Sequence, residues 1–198
     1  MKGETLDPKK VAEARREEIE YMIMKGVWKE VSVDECRNKT GKEPVTVKWV
    51  DTEKGSGSET RTRSRLAARD FRKKGDKDRE DLFAATPPLE LLKMLISKTA
   101  TVTKHGVWRR MLFIEVKKAH IVPLCDQDVY FWLPEEAGPK AGKCGKLVHW
   151  LYGFRPAAQA WEIYDAAKMD QVLGAGTPVA FWRPVQDLAC VVHGDDST

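Results

Sequence analysis

Leu188-Ala-Cys-Val-Val-His-Gly-Asp-Asp196 decides how this chain is read. Leu188 to Val192 have the length and composition of a buried strand, and His193-Gly194 reads as the turn that ends it. A strand that delivers two adjacent carboxylates, Asp195 and Asp196, to a turn suits a divalent cation. Mg²⁺ takes oxygen ligands, keeps several waters, and is commonly held by one or two carboxylates together with substrate phosphates. A second strand with a carboxylate, Met111-Leu-Phe-Ile-Glu-Val116, carries Glu115 80 positions upstream of Asp195. An Asp-Asp pair alone is a common surface turn. Three acidic side chains on two apolar strands, taken with what lies between them, point to phosphoryl transfer on nucleic acid.

The charge distribution supports an anionic partner. The 198-residue chain has a formal net charge of +4. The segment from Arg61 to Arg79 holds nine basic residues against three acidic ones, so it alone carries +6 and the remainder about −2. A basic stripe on an otherwise balanced chain fits a nucleic acid or a triphosphate, and its bland counterpart is a solvated charged loop. With 42% hydrophobic and 32% charged residues the composition is globular, enough for one domain or two small lobes. Cys36, Cys125, Cys144 and Cys190 show no disulfide-framework spacing, which favours a reducing, intracellular compartment. Cys144 with His149 and Cys190 with His193 could be written as a zinc set, but the spacing fits no common finger. No signal peptide and no apolar run near the roughly 20 residues of a membrane span is expected.

Local patterns place these features on elements. Asp7-Pro8 predicts the start of a helix that ends at Gly26, with Val11, Arg15, Ile19 and Met22 near one face. Val27 to Val31 reads as a short strand. Val45-Thr-Val-Lys-Trp-Val50 alternates, Gly55-Ser-Gly-Ser58 turns, and Thr60 to Arg69 returns, predicting a hairpin with Arg61, Arg63 and Arg65 on one face. Leu89 to Ser97 reads as a helix whose Leu91, Leu92, Leu95 and Ile96 enter a core. Strands follow at Met111–Val116, Asp128–Pro134 and Leu147–Trp150, with Glu135 to Lys146 as a connection. A helix over Pro156–Met169 and strands near Val179–Trp182 and Leu188–Val192 complete an α+β chain, with a later antiparallel sheet backed by helices.

In this order the motifs resemble the reverse transcriptase of copia-type LTR retrotransposons, over about nine-tenths of the chain. The residues that carry the resemblance are Val27-Trp28-Lys-Glu-Val31, Lys48-Trp49-Val50, Arg63-Ser-Arg-Leu-Ala-Ala-Arg-Asp-Phe71 and Leu82-Phe-Ala-Ala-Thr-Pro-Pro88. Further along stand Glu115-Val-Lys-Lys-Ala-His120, Val129-Tyr-Phe-Trp-Leu-Pro134, Leu151-Tyr-Gly-Phe-Arg-Pro-Ala-Ala-Gln-Ala-Trp161 and His193-Gly-Asp-Asp196. The resemblance implies a helix over residues 1–26 and fingers and palm of a right-hand polymerase over 27–198. The basic hairpin would span 45–72 and the palm about 87–198, with the thumb missing. It implies an RNA template, a DNA primer, deoxynucleoside triphosphates and Mg²⁺, with Mn²⁺ as an alternative. The metal ligands would be Glu115, Asp195 and Asp196. Lys48, Arg61, Arg63 and Arg65 would clamp phosphates, His120 would lie beneath the incoming sugar, and Tyr152, Gly153 and Arg155 near the template and nucleotide pocket. The implied setting is a polyprotein with thumb, RNase H and integrase regions, in cytoplasmic virus-like particles or the nucleus.

The chain departs from the family pattern at three places. Glu115 stands where the motif has Asp, and Leu173 to Phe181 is several residues short. The sequence also stops two residues after Asp196, before the partner strand of the Asp-Asp turn. These departures predict a chain without polymerase activity on its own, and the alternative reading is a non-catalytic nucleic-acid-binding remnant of a retroelement.

Overall fold

Asp7 and Gly26 bound the first helix as the sequence predicts. The Asp7 carboxylate accepts from Lys9 N–H at 2.9 Å, Pro8 fills the first position, and Gly26 closes the helix at φ +65°. This is α1, Pro8–Lys25. The computed structural model of the chain describes residues 6–55, 60–71, 86–103, 105–174, 176–177 and 179–192. They divide into two units, one drawn from residues 1–76 and 121–157, the other from 77–120 and 158–198.

In the first unit α1 is followed by β1 (Trp28–Ser32), α2 (Val33–Thr40), β2 (Val47–Lys54) and β3 (Arg61–Ala68). The short helix α2 is absent from the sequence expectation, because its only apolar residues, Val33 and Cys36, give no stripe. Capping settles it: Ser32 Oγ accepts from Glu35 N–H at 3.2 Å, and Gly41 ends it at φ +65°. Later in the chain β4 (Tyr130–Phe131) and β5 (Lys143–Leu147) join β1 in an antiparallel sheet of order β1-β5-β4.

This sheet corrects two boundaries. The strand expected over Asp128–Pro134 keeps only Tyr130 and Phe131 in the ladder, since Trp132 N–H turns to the Val45 carbonyl at 2.9 Å. The strand expected over Leu147–Trp150 instead occupies Lys143–Leu147. Gly145 is the reason: a Cβ there would lie 2.6 Å from the Phe131 ring, so its missing side chain lets the ring cross the strand.

The core of the first unit collects Met22, Val27, Cys36, Leu66, Phe131, Cys144, Trp150 and Leu151, all essentially without solvent contact. Trp28 meets Phe131 edge-on at 5.7 Å between centroids. Val27 ties α1 to this core, donating to Met22 O at 3.0 Å and accepting from Val148 and His149 N–H.

The second unit holds α3 (Leu89–Thr99), most of α4 (Ala157–Leu173) and the antiparallel hairpin β6 (Ala180–Arg183) with β7 (Leu188–Val191). Asp187, at the hairpin turn, pairs with Lys98 at 2.8 Å and Arg109 at 2.5 Å, fixing α3 and the loop after it to the turn. Here two expectations fail. α3 forms but buries none of its residues, so Leu91, Leu92, Leu95 and Ile96 are not core. The strand expected over Met111–Val116 does not form; Leu112, Phe113 and Ile114 are 80%, 83% and 76% exposed on irregular backbone. A strand needs a ladder partner, and among the described residues β7 pairs with β6 and with no other strand. The α+β class holds, with three small antiparallel sheets among the described residues, the β2–β3 hairpin as expected and two others where one later sheet was expected. Among the described residues no helix is long and apolar enough to cross a membrane.

Candidate nucleic-acid interface

The β2–β3 hairpin is a two-faced ribbon whose register assigns every side chain. Directly opposed residues share a face: Lys48 with Ala67, Val50 with Arg65, Thr52 with Arg63, and Lys54 with Arg61. The outer face therefore carries Lys48, Lys54, Arg61, Arg63 and Arg65 and no acidic residue. The cations of β3 recur every second residue, about 7 Å apart. The inner face pairs Trp49 with Leu66 and Asp51 with Ser64, and Thr62, Ser64, Leu66 and Ala68 are buried. Burial of one face and charge on the other hold the register, because a one-residue slip would exchange them.

Arg65 is the best-fixed cation of the row. Its guanidinium carbon lies 5.5 Å from the centre of the Tyr152 ring, and Tyr152 is itself buried. Arg65 Nε is buried without a hydrogen-bond partner among the described residues. Arg61, beside the connection between β2 and β3, meets Glu17 of α1 at 2.9 Å, with both side chains well exposed. Lys48 is exposed and Arg63 half-buried.

The Leu151–Phe154 turn is brought to the base of β3 by one backbone bond, from Ala68 N–H to Tyr152 O at 2.7 Å. Gly153 permits that approach. Its φ is +83°, and a Cβ would sit 2.3 Å from the Ala68 carbonyl oxygen. Arg155 follows, its N–H on Asp70 Oδ2 at 3.2 Å and its guanidinium Nε 3.6 Å from the same oxygen. So Arg65, Tyr152, Gly153 and Arg155, separated by up to 90 positions, are gathered at one end of the hairpin, with Asp70 occupying Arg155.

The expected metal set is not assembled within the described residues. Glu115 is exposed on irregular backbone, not on a strand, while Asp195 and Asp196 lie outside the described residues. No three His, Cys, Asp or Glu side chains there come together as a cation site. His120 is half-buried on a single 3-10 turn, Ala119–Ile121. Cys144, one member of the paper zinc set, is fully buried with its thiol on Ser32 O at 3.8 Å. Burial pushes that thiol up to about 11, far from a metal-binding thiolate.

Sequence reasoning missed Lys54 and Glu17. Counting the hairpin register outward from the turn would have found Lys54 opposite Arg61, whereas Glu17 carries no local signal.

Comparison with known proteins agrees with the motifs. The sequence model of the family described as Reverse transcriptase (RNA-dependent DNA polymerase) matches residues 27–175, which include the whole hairpin and the 151–155 turn. The Retrovirus-related Pol polyprotein from transposon TNT 1-94 of Nicotiana tabacum is 27% identical over 153 residues. That match covers 75% of this chain and 11% of the polyprotein. No solved structure matches the chain. The eight motifs, their order along the chain and the family match lead to one assignment: the chain belongs to the reverse transcriptase (RNA-dependent DNA polymerase) family, in its copia-type form.

Proposed function

We propose that this chain is fingers and palm of a retrotransposon reverse transcriptase, and that the outer face of β2–β3 grips the phosphates of template–primer or of the incoming triphosphate. One observation supports this most. Lys48, Lys54, Arg61, Arg63 and Arg65 share a face on which the hairpin itself places no acid, in a chain of the reverse transcriptase family. Arginine offers a planar fork to each phosphate, and the Tyr152 ring behind Arg65 fixes the plane of one such fork.

Mg²⁺ or Mn²⁺ would be held by Glu115, Asp195 and Asp196, the carboxylates that suit a hard cation. When bound, such ions lower the pKa of the attacking hydroxyl and neutralise charge in an in-line displacement. Glu115 extends one methylene beyond the Asp of the family motif. A catalytic group displaced by about 1 Å loses on the order of 100-fold in rate, so this reading includes a degenerate catalytic set. The second reading, a binding module without turnover, draws support from the exposed, irregular surroundings of Glu115.

Primer extension on poly(rA)–oligo(dT) with Mg²⁺ and with Mn²⁺ separates the two. Incorporation above a D195A/D196A control, raised by E115D, is the result expected of a polymerase. Incorporation no higher than that control leaves only binding. Binding itself should weaken steeply with salt, and the slope should fall by about one for each hairpin arginine replaced by Ala. Affinity indifferent to salt, or unchanged in R61A/R63A/R65A, rejects the phosphate grip.

A further inference from the structure

We propose that Arg15 of α1 is a positioning residue for the cationic face of the hairpin: it sets that face without touching what binds there. The inference rests on the reading of the outer face as a phosphate grip. α1 ends at Lys25, before the family-matched residues begin at 27.

One guanidinium reaches two segments that lie far apart in sequence. Arg15 Nη2 donates to Asp51 Oδ2 at 2.6 Å and Nε to Asp51 Oδ1 at 3.3 Å, a two-pronged grip on the middle of β2. Its Nη1 donates to Glu136 Oε1 at 3.2 Å, on the 3-10 turn Glu135–Ala137 that follows β4. Ser64 Oγ donates to Asp51 Oδ1 at 2.7 Å from the facing position of β3, so both strands are held through one carboxylate. The guanidinium also lies over the Trp49 ring, 5.3 Å from its centre. Trp49 and Asp51 are inner-face residues, so Arg15 holds the hairpin from behind. Val50 and Thr52, on either side of Asp51, stand opposite Arg65 and Arg63 on the outer face.

Geometry of this kind has a consequence that charge alone does not. A flat, five-donor group can serve Asp51 and Glu136 at once and still stack on Trp49, whereas an ammonium supplies the charge without the fork. Without the fork, β2 loses its tie to the 135–137 turn, and the outer cations keep their charge but not their fixed spacing.

Three variants of the 198-residue chain, R15A, R15K and E136Q, test this by two readouts. The first is amide hydrogen exchange of the free chain. R15A should speed exchange across β2 and β3 by about tenfold, with R15K and E136Q in between. The second is salt-dependent binding of a fluorescent poly(rA)–oligo(dT) duplex. R15A should weaken it about tenfold at constant slope of log affinity against log salt, because no phosphate contact is lost. Exchange unchanged in R15A, or in E136Q if R15A does not fold, overturns the brace. A slope lower by about one overturns it differently, making Arg15 itself a phosphate contact. Full recovery in R15K overturns the need for the fork. A wild-type chain without salt-dependent binding defeats the phosphate grip and with it any ligand for Arg15 to serve, while the exchange readout still tells whether the brace exists.

Discussion

The hairpins β2–β3 and β6–β7 differ in the opposite sense to their sequences. β6 and β7 are the more apolar pair, Ala-Phe-Trp-Arg and Leu-Ala-Cys-Val, yet of these eight residues Phe181 alone is buried. β2 and β3 are heavily charged, yet four of the eight residues of β3 are buried. The difference lies in what covers them. Against β3 lies α1, which contributes Ile19, Met22 and the Arg15 grip on Asp51. Against β7 lies α3, none of whose own residues is buried. Burial follows the partner, and a strand's own apolar content only makes it eligible.

The largest effects should therefore fall in the first unit. Trp150→Ala removes the largest fully buried side chain there and should cost about 3–5 kcal/mol in urea unfolding. A cost below about 1 kcal/mol would mean that this core is not the one that stabilises the chain. Next comes Gly153→Ala. It forces an L-residue to φ +83° against the Ala68 carbonyl and should cost about 1–3 kcal/mol, with loss of exchange protection at the Ala68 amide. Retained protection there would show that the 151–154 turn can move away from β3 without consequence.

These two positions also mark how far the sequence could be read. α1 was legible to the residue, because Asp7, Pro8 and Gly26 are local signals of helix ends. The hairpin was legible through its alternation, and with it the shared face of Lys48, Arg61, Arg63 and Arg65. Gly153 could be placed near a pocket only through the resemblance, since its close approach to Ala68 spans 85 positions. Arg15 and Glu136, 121 positions apart, left no trace at all. The misread segments have a common cause. Leu91 to Ile96 and Met111 to Val116 carry core-like patterns, but a pattern states only which face would be buried if something covered it. α2 and β5 show the reverse, elements with poor patterns stabilised by a Ser32 cap and by the space Gly145 leaves for Phe131.

Acid should distinguish the hairpins by a smaller margin. The Arg15 guanidinium, helped by the Ser64 hydroxyl and opposed by burial, holds the Asp51 carboxyl below its ordinary 3.8. A carboxyl depressed by folding adds stability that is complete above the unfolded value and lost as pH falls through the folded one. The urea midpoint of the first unit should thus drop below about pH 4, and Asp51→Asn should flatten that part of the profile. Asp187 is depressed too, by Lys98 and Arg109, so its removal should leave the Asp51 step intact. A profile unchanged in Asp51→Asn would mean that the Arg15–Asp51 pair is not coupled to folding.

The smallest expected effect is the most informative about the second unit. Phe113 sits in the middle of Met111–Val116 and is 83% exposed, so Phe113→Ser should change stability by no more than about 0.5 kcal/mol. Its neighbours Leu112 and Ile114 are nearly as open, and a run of three exposed large apolar side chains is unusual on a soluble surface. A cost above about 2 kcal/mol would be that of a buried aromatic and would place this segment in a packed strand after all. Glu115 would then be held by regular backbone instead of standing in the open. A near-zero cost keeps the carboxylate on a stretch with no ladder to orient it, and the contrast between the two hairpins extends to the residue that a metal would need most.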